Sequence, residues 1–227
     1  LDGDLDSADD TAANSLGFTD GLTMTSETTI TLASHATGKI IPAGSLTLKS
    51  KSGVYITDDM LGKQNAKPLV INADSDSTGN SGTLTVATAK TITTNKSDMT
   101  ITAWDIDLAG TGAATAGIKA MTIHAAEPAQ TIGLGATPKN MHITDGELGR
   151  MTASTDGLTI GSATSGSMEV NGVSDANSDA VATVTLIATR ASTTITFKTG
   201  ASTFDKGIIV QKAVKGKPKV TGDAAAD

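Results

Sequence analysis

Apolar residues recur along this chain in a short pattern: apolar, polar (most often Thr), apolar, set among Gly, Asp, Asn, Ser and Ala. It reads Leu22-Thr23-Met24, Leu46-Thr47-Leu48, Leu84-Thr85-Val86, Met99-Thr100-Ile101, Met121-Thr122-Ile123, Met141-His142-Ile143, Leu158-Thr159-Ile160 and Val184-Thr185-Leu186. Leu69-Val70-Ile71 and Ile208-Ile209-Val210 continue the series with an apolar centre. Alternation over three to five residues between turn formers predicts a short strand whose outer pair is buried and whose centre faces out. Thr suits the outward place because a β-branched side chain fits a pleated surface. The triplets start 15 to 26 residues apart, about 21 on average, which is the spacing of stacked coils. A second series follows most triplets after 7 to 11 residues: Ile30-Thr31-Leu32, Val54-Tyr55-Ile56, Ile106-Asp107-Leu108, Ile132-Gly133-Leu134, Met168-Glu169-Val170 and Ile195-Thr196-Phe197. Two faces per coil are thus visible, and a third is less regular.

The predicted fold is all-β, a parallel β-solenoid of about ten coils over residues 16–213. Residues 1–15 form an acidic linker or inter-unit segment, and 214–227 a basic tail or linker containing Pro and Ala. Ten coils at about 4.8 Å would make a body roughly 50 Å long. Helical periodicity is lacking except for single turns expected at Thr57–Leu61 and Asp145–Met151. A β-sandwich would need hairpins, for which Asn171-Gly172, Asp145-Gly146 and Asp156-Gly157 offer turns. The same-sense recurrence of one triplet argues for coils instead.

Composition narrows this further. One Trp, one Tyr and three Phe cannot fill a thick core, so the core must be thin and built from Val, Ile, Leu and Met. Charged residues are 18 % of the chain, and regularly placed aliphatic pairs argue against disorder. The net charge is −7 and the ends differ: Asp2, Asp4, Asp6, Asp9, Asp10 and Asp20 precede the first cation, Lys39, while Lys206, Lys212, Lys215, Lys217 and Lys219 cluster late. Two Arg and few aromatics exclude the basic stripe and stacking platforms of a nucleic-acid binder. No apolar run approaches the roughly 20 residues of a transmembrane helix. Without Cys there is no disulfide framework and no thiol chemistry.

The stretch Ile132-Gly-Leu-Gly135, Met141-His-Ile-Thr-Asp-Gly-Glu-Leu-Gly-Arg150, Gly157-Leu-Thr-Ile-Gly161 and Gly166-Ser-Met-Glu-Val-Asn-Gly172 resembles filamentous haemagglutinin-like repeat proteins. It is most similar to the giant tandem-repeat surface proteins of algae and other microbial eukaryotes. Gly146 stands where that pattern has a small Ala, and Met151 where it has Ile. The specific match covers about 40 residues, the general pattern most of the chain. The resemblance implies a right-handed parallel β-helix, an extracellular or cell-surface location, and one unit of a longer array. It carries over no catalytic residue.

Candidate chemistry is sparse. Polysaccharide-cleaving β-helices need paired carboxylates or a basic group with calcium. Asp58-Asp59 is the one adjacent pair inside the body, and it reads as a solvated corner. His35, His124 and His142 are isolated; His124 and His142, on neighbouring coils, are expected to come near one another, but two imidazoles rarely hold zinc. Asp2, Asp4 and Asp6 alternate like the start of a calcium loop, yet Ser7 and Ala13 stand where such a loop wants Gly and Glu. A solvated acidic tail is the other reading of them. Asn95-Lys96-Ser97 is the sole N-glycosylation sequon. Glu147 and Arg150 are placed to pair at their corner, and Trp104 and the methionines to pack at coil edges and in the core.

Thr23, Thr47, Thr85, Thr100, Thr122, Thr159 and Thr185 are expected to line one outward face, interrupted by Val70, His142 and Ile209. Ice-binding solenoids resemble this but use paired Thr columns. The sequence therefore predicts a non-enzymatic structural unit of an extracellular filament, appendage, wall layer or adhesin, with copies of itself as partners, head to tail. A carbohydrate- or surface-binding adhesin module, with cell-surface glycans as partner, and an ice-binding solenoid are the alternatives.

Overall fold

The chain passes through three strand positions in rotation as far as Ile132–Gly135, in a computed structural model that describes residues 14–34 and 37–212. Asp2, Asp4, Asp6, His35, the linker up to residue 13 and the tail 214–227 lie outside the described residues. Every ladder between named strands is parallel. The fold is a parallel β-solenoid with three faces.

The first face holds eight strands: Leu22–Ser26, Leu46–Ser50, Leu69–Asn72, Met99–Ala103, Met121–Ala125, Leu158–Ser162, Val184–Ala188 and Ile208–Lys212. The second holds six: Leu16–Phe18, Ile40–Pro42, Met60–Leu61, Thr91–Thr93, Ala113–Gly117 and Met151–Ala153, extended by an isolated bridge from Ala153 to Val181. The third face is two groups of four. One runs Ile30–Leu32, Val54–Ile56, Leu84–Val86, Ile106–Leu108; the other runs Met141–Ile143, Ile132–Gly135, Met168–Asn171, Ile195–Phe197.

Two of the ten triplets therefore belong elsewhere: Leu84–Val86 and Met141–Ile143 are third-face strands. The expected ten coils of about 21 residues are corrected to eight first-face strands among the described residues. These are separated by 24, 23, 30, 22, 37, 26 and 24 residues, about 27 on average. Seven spacings of about 4.8 Å make the first face about 34 Å tall, against the 50 Å expected. The physical reason is that a strand on any face buries alternate residues, so the triplet marks a strand without marking its face. Corner length decides the face.

The interior is a stack of aliphatic columns. Leu46, Leu69, Met99, Met121, Leu158 and Val184 stand in register at 0–5 % exposure, and Leu48, Ile71, Ile101, Ile123, Ile160 and Leu186 form the next column. Burying each such side chain contributes about 1.5–3 kcal/mol. Met60, Met99, Met121, Met141, Met151 and Met168 are all core residues, as a thin, aromatic-poor interior requires.

Of the two expected single turns, only one forms. Asp145–Leu148 is helical, closed by a capping box in which Thr144 and Glu147 satisfy one another's backbone N–H. Thr57–Leu61 is not: Met60 enters the second-face column between Ile40 and Ile92, and that inward slot outweighs local turn propensity. Among the described residues no helix is long and apolar enough to cross a membrane.

Candidate functional site

The 37-residue step between Met121 and Leu158 contains the one place where the third face loses its backbone ladder. Strand Ile132–Gly135 is followed after five residues by Met141–Ile143, which lies parallel beside it with Ile132 opposite Met141. The return segment 136–140 crosses the outer side of the first of these strands at Gly133, where a Cβ would sit 1.8 Å from the Thr137 carbonyl oxygen. Only glycine fits there. Asn140 Oδ1 fastens the return by accepting from Thr131 N at 3.1 Å and Thr131 Oγ1 at 2.7 Å.

The extra strand wedges against Ile106–Leu108 without a ladder, and side chains seal the gap. His142 N donates to Asp105 Oδ1 at 2.9 Å, and Leu108 N donates to Glu147 Oε1 at 3.2 Å. Arg150 donates from Nη2 to Leu108 O at 2.7 Å, from Nε to Gly112 O at 3.0 Å and from Nη1 to Gly146 O at 2.8 Å. Glu147 and Arg150 thus form no ion pair with each other, contrary to the expectation. They take the N–H and the C=O of the same residue, Leu108, in place of the missing neighbour strand. The other carboxylate oxygen of Glu147 accepts from Thr144 N and Oγ1 at 2.9 and 2.8 Å, and Glu147 is only 6 % exposed.

Asp145 faces the opposite way, accepting from Ser174 N, Ser174 Oγ and Asn177 Nδ2 at 2.7–2.8 Å on the next coil. Burial alone would raise its pKa; the donors from Ser174 and Asn177 outweigh that and hold it below the usual carboxylate range. Asp105 goes the other way, because burial pushes its pKa up despite the N–H groups of His142 and Ile106. The corner carrying the specific resemblance is therefore a hub joining three coils. The sequence signal for it was two apolar triplets nine residues apart, Ile132-Gly133-Leu134 and Met141-His142-Ile143.

Other singled-out residues are scattered. Asp58 is not a solvated corner but buried at 8 % exposure, accepting from Ser34 N at 2.9 Å and Lys90 Nζ at 2.7 Å, while Asp59 accepts from Thr91 N at 2.9 Å. The cause is corner geometry, which turns both carboxylates across to neighbouring coils. His124 sits on the first face opposite Thr102 with its pKa lowered by burial; His142 sits on the third face with Nε2 2.7 Å from Gly135 O. The expected proximity of the two does not arise, because the Met141 triplet is on another face. Asn95 Nδ2 donates to Lys63 O at 3.0 Å, at a residue of positive φ.

The outward Thr column on the first face reads Thr23, Thr47, Val70, Thr100, Thr122, Thr159, Thr185, Ile209. Thr85 is not in it; it stands between Tyr55 and Asp107 on the third face. The adjoining outward column mixes Thr25, Lys49, Asn72, Thr102 and His124, so the threonines do not form a two-column lattice. A shorter column of Thr93, Thr115 and Thr152 lies on the second face.

One buried group stands apart. Asp74 is fully buried and neither carboxylate oxygen has a hydrogen-bond partner. Burial, then the adjacent Asp76 carboxyl, push its pKa up to about 6.

In the last described coil two residues of core columns are exposed. Phe197 continues the inward column of Val170 and is 48 % exposed; Val210 continues that of Leu186 and is 45 % exposed. Comparison of the chain with family models, with curated proteins and with solved structures finds no match.

Proposed function

We propose that the chain is a non-enzymatic structural repeat unit of an extracellular or cell-surface assembly, a filament, appendage, wall layer or adhesin, in which copies or adjacent repeats stack head to tail. The observation that carries this reading is in the last described coil, where Phe197 and Val210 occupy core columns yet are nearly half exposed. A core column stabilises only when another coil covers it. The occupant that fits is a second copy, because the early coil offers the first-face columns that Ile208 and Val210 continue, with Leu22 36 % exposed and Met24 partly so. Backbone N–H and C=O groups of the last described strand supply the register.

Charge supports the order. The acidic start and the Lys-rich finish attract when units meet head to tail and repel when like ends meet. Such a heterologous contact does not close, so it propagates into a rod. The resemblance of the Gly146–Ala153 corner to haemagglutinin-like arrays agrees with it.

Val210→Glu tests this. The residue is exposed, so the coil itself tolerates the change, while a charge enters any stacked junction. Self-association by analytical ultracentrifugation is expected to fall at least tenfold with an unchanged circular dichroism spectrum. Association equal to that of the parent chain would overturn the reading.

A further inference from the structure

We infer that the loop 74–82, together with Glu127 from a later coil, is a calcium site. The loop reads Asp74-Ser75-Asp76-Ser77-Thr78-Gly79-Asn80-Ser81-Gly82. Carboxylates stand at the first and third positions, a hydroxyl at the fifth, glycine at the sixth, and a residue free to offer its carbonyl at the seventh, the order in which a calcium loop presents its oxygens. Gly79 has φ +86°, as the sharp turn at that position requires.

The fold closes this loop on itself. A Cβ at Gly82, where φ is +92°, would lie 2.3 Å from Asp74 Cβ, so the end of the loop presses against its start. Asp74 is thereby sealed from water with both oxygens unpartnered, facing the Asp76 carboxyl. A calcium loop of this type wants a glutamate at its twelfth position; that residue here is Thr85, already in a third-face strand. Glu127 comes in instead: its Oε1 accepts from Asn80 N at 3.4 Å and its charge reaches Asp74. The nearby cation, Lys51, is already paired with Glu27.

A buried carboxylate without a hydrogen bond or counter-charge is costly. A bound cation removes that cost. All available donors are oxygens, which selects a hard ion, and a loop with few constraints suits the larger, more adaptable calcium over octahedral magnesium. Among the described residues no three His, Cys, Asp or Glu side chains converge to hold a metal by themselves. The coordination therefore depends on Thr78, backbone carbonyls and water, and the affinity belongs in the range of extracellular modules, about 0.1–1 mM.

The chain's single Trp reports on the site, since Trp104 N donates to Gly82 O at 3.1 Å. Terbium added to the full chain and excited through Trp104 is expected to luminesce saturably, and calcium to displace it with a midpoint of about 0.1–1 mM. Calcium is also expected to raise the melting temperature. Asp74→Asn and Asp76→Asn should each weaken binding at least tenfold; Asp74→Asn is isosteric and removes a buried charge, so it should fold, and its dichroism checks this. A chain with Asp2, Asp4 and Asp6 all changed to Asn should bind as before. Absence of saturable binding by 10-fold above that range, binding unchanged in Asp74→Asn, binding lost in the Asp2/Asp4/Asp6 variant, or an equal midpoint for magnesium would each overturn the inference.

Discussion

Replacing Glu147 by Ala should open the solenoid at its inserted strand. The carboxylate accepts three hydrogen bonds, from Leu108 N at 3.2 Å, Thr144 N at 2.9 Å and Thr144 Oγ1 at 2.8 Å. Hydrogen bonds to a charged group contribute about 1.5–3 kcal/mol each, but Thr144 is half-buried and its donors recover water, whereas Leu108 is 2 % exposed and its N–H does not. The loss expected is about 3–5 kcal/mol, a large share of a typical total stability of about 5–15 kcal/mol. Coils contact only their neighbours, so unfolding need not be all-or-none, and a local probe is required. Hydrogen exchange supplies it: 3–5 kcal/mol corresponds to a roughly 150-fold to 5,000-fold faster exchange of the Leu108 amide. Glu147→Gln keeps an acceptor and should lose about 1–2 kcal/mol. An unchanged Leu108 exchange rate in Glu147→Ala, with a urea midpoint equal to the parent's, would refute the assignment of Glu147 as the substitute for a neighbouring strand.

Three further outcomes follow from the same geometry. Asp105 has its pKa raised by burial, so the folded state holds its proton more tightly than the unfolded chain does; its contribution is fully present below the ordinary value near 3.9 and is lost as pH rises through the raised one. Asp105→Asn keeps an acceptor for the His142 N–H, so its melting temperature should match the parent's at pH 3 and exceed it at pH 7. Asp58→Ala removes the acceptor of Ser34 N–H and Lys90 Nζ and should cost about 1–3 kcal/mol in urea unfolding, where a solvated corner would cost nothing measurable. Ile101→Asp puts an unpaired carboxylate at a fully buried column position and should abolish exchange protection in the flanking strands Leu69–Asn72 and Met121–Ala125.

The strands were legible in the sequence because burial at alternate residues leaves a direct trace: each apolar triplet, from Leu22-Thr23-Met24 to Ile208-Ile209-Val210, lies in a strand. Face and coil count were not, because Leu84-Thr85-Val86 obeys the same alternation as Leu69-Val70-Ile71 and only corner lengths separate them. The helical turn at Asp145 was readable from its cap residues, while the partners of Glu147 and Arg150 were not, since Leu108 and Gly112 are about 40 residues away and contribute only backbone. Asp58 and Asp74 illustrate the same limit: a carboxylate beside a turn former looks solvated in sequence, and only the path of the neighbouring coil buries it.

Head-to-tail stacking of parallel coils is tested most directly by electron microscopy and diffraction of the purified chain across a range of concentration. Rods are expected that lengthen with concentration in steps of one unit, each at least about 34 Å, with an axial repeat of about 4.8 Å running unbroken through the junctions. Particles of single-unit length at every concentration would contradict it.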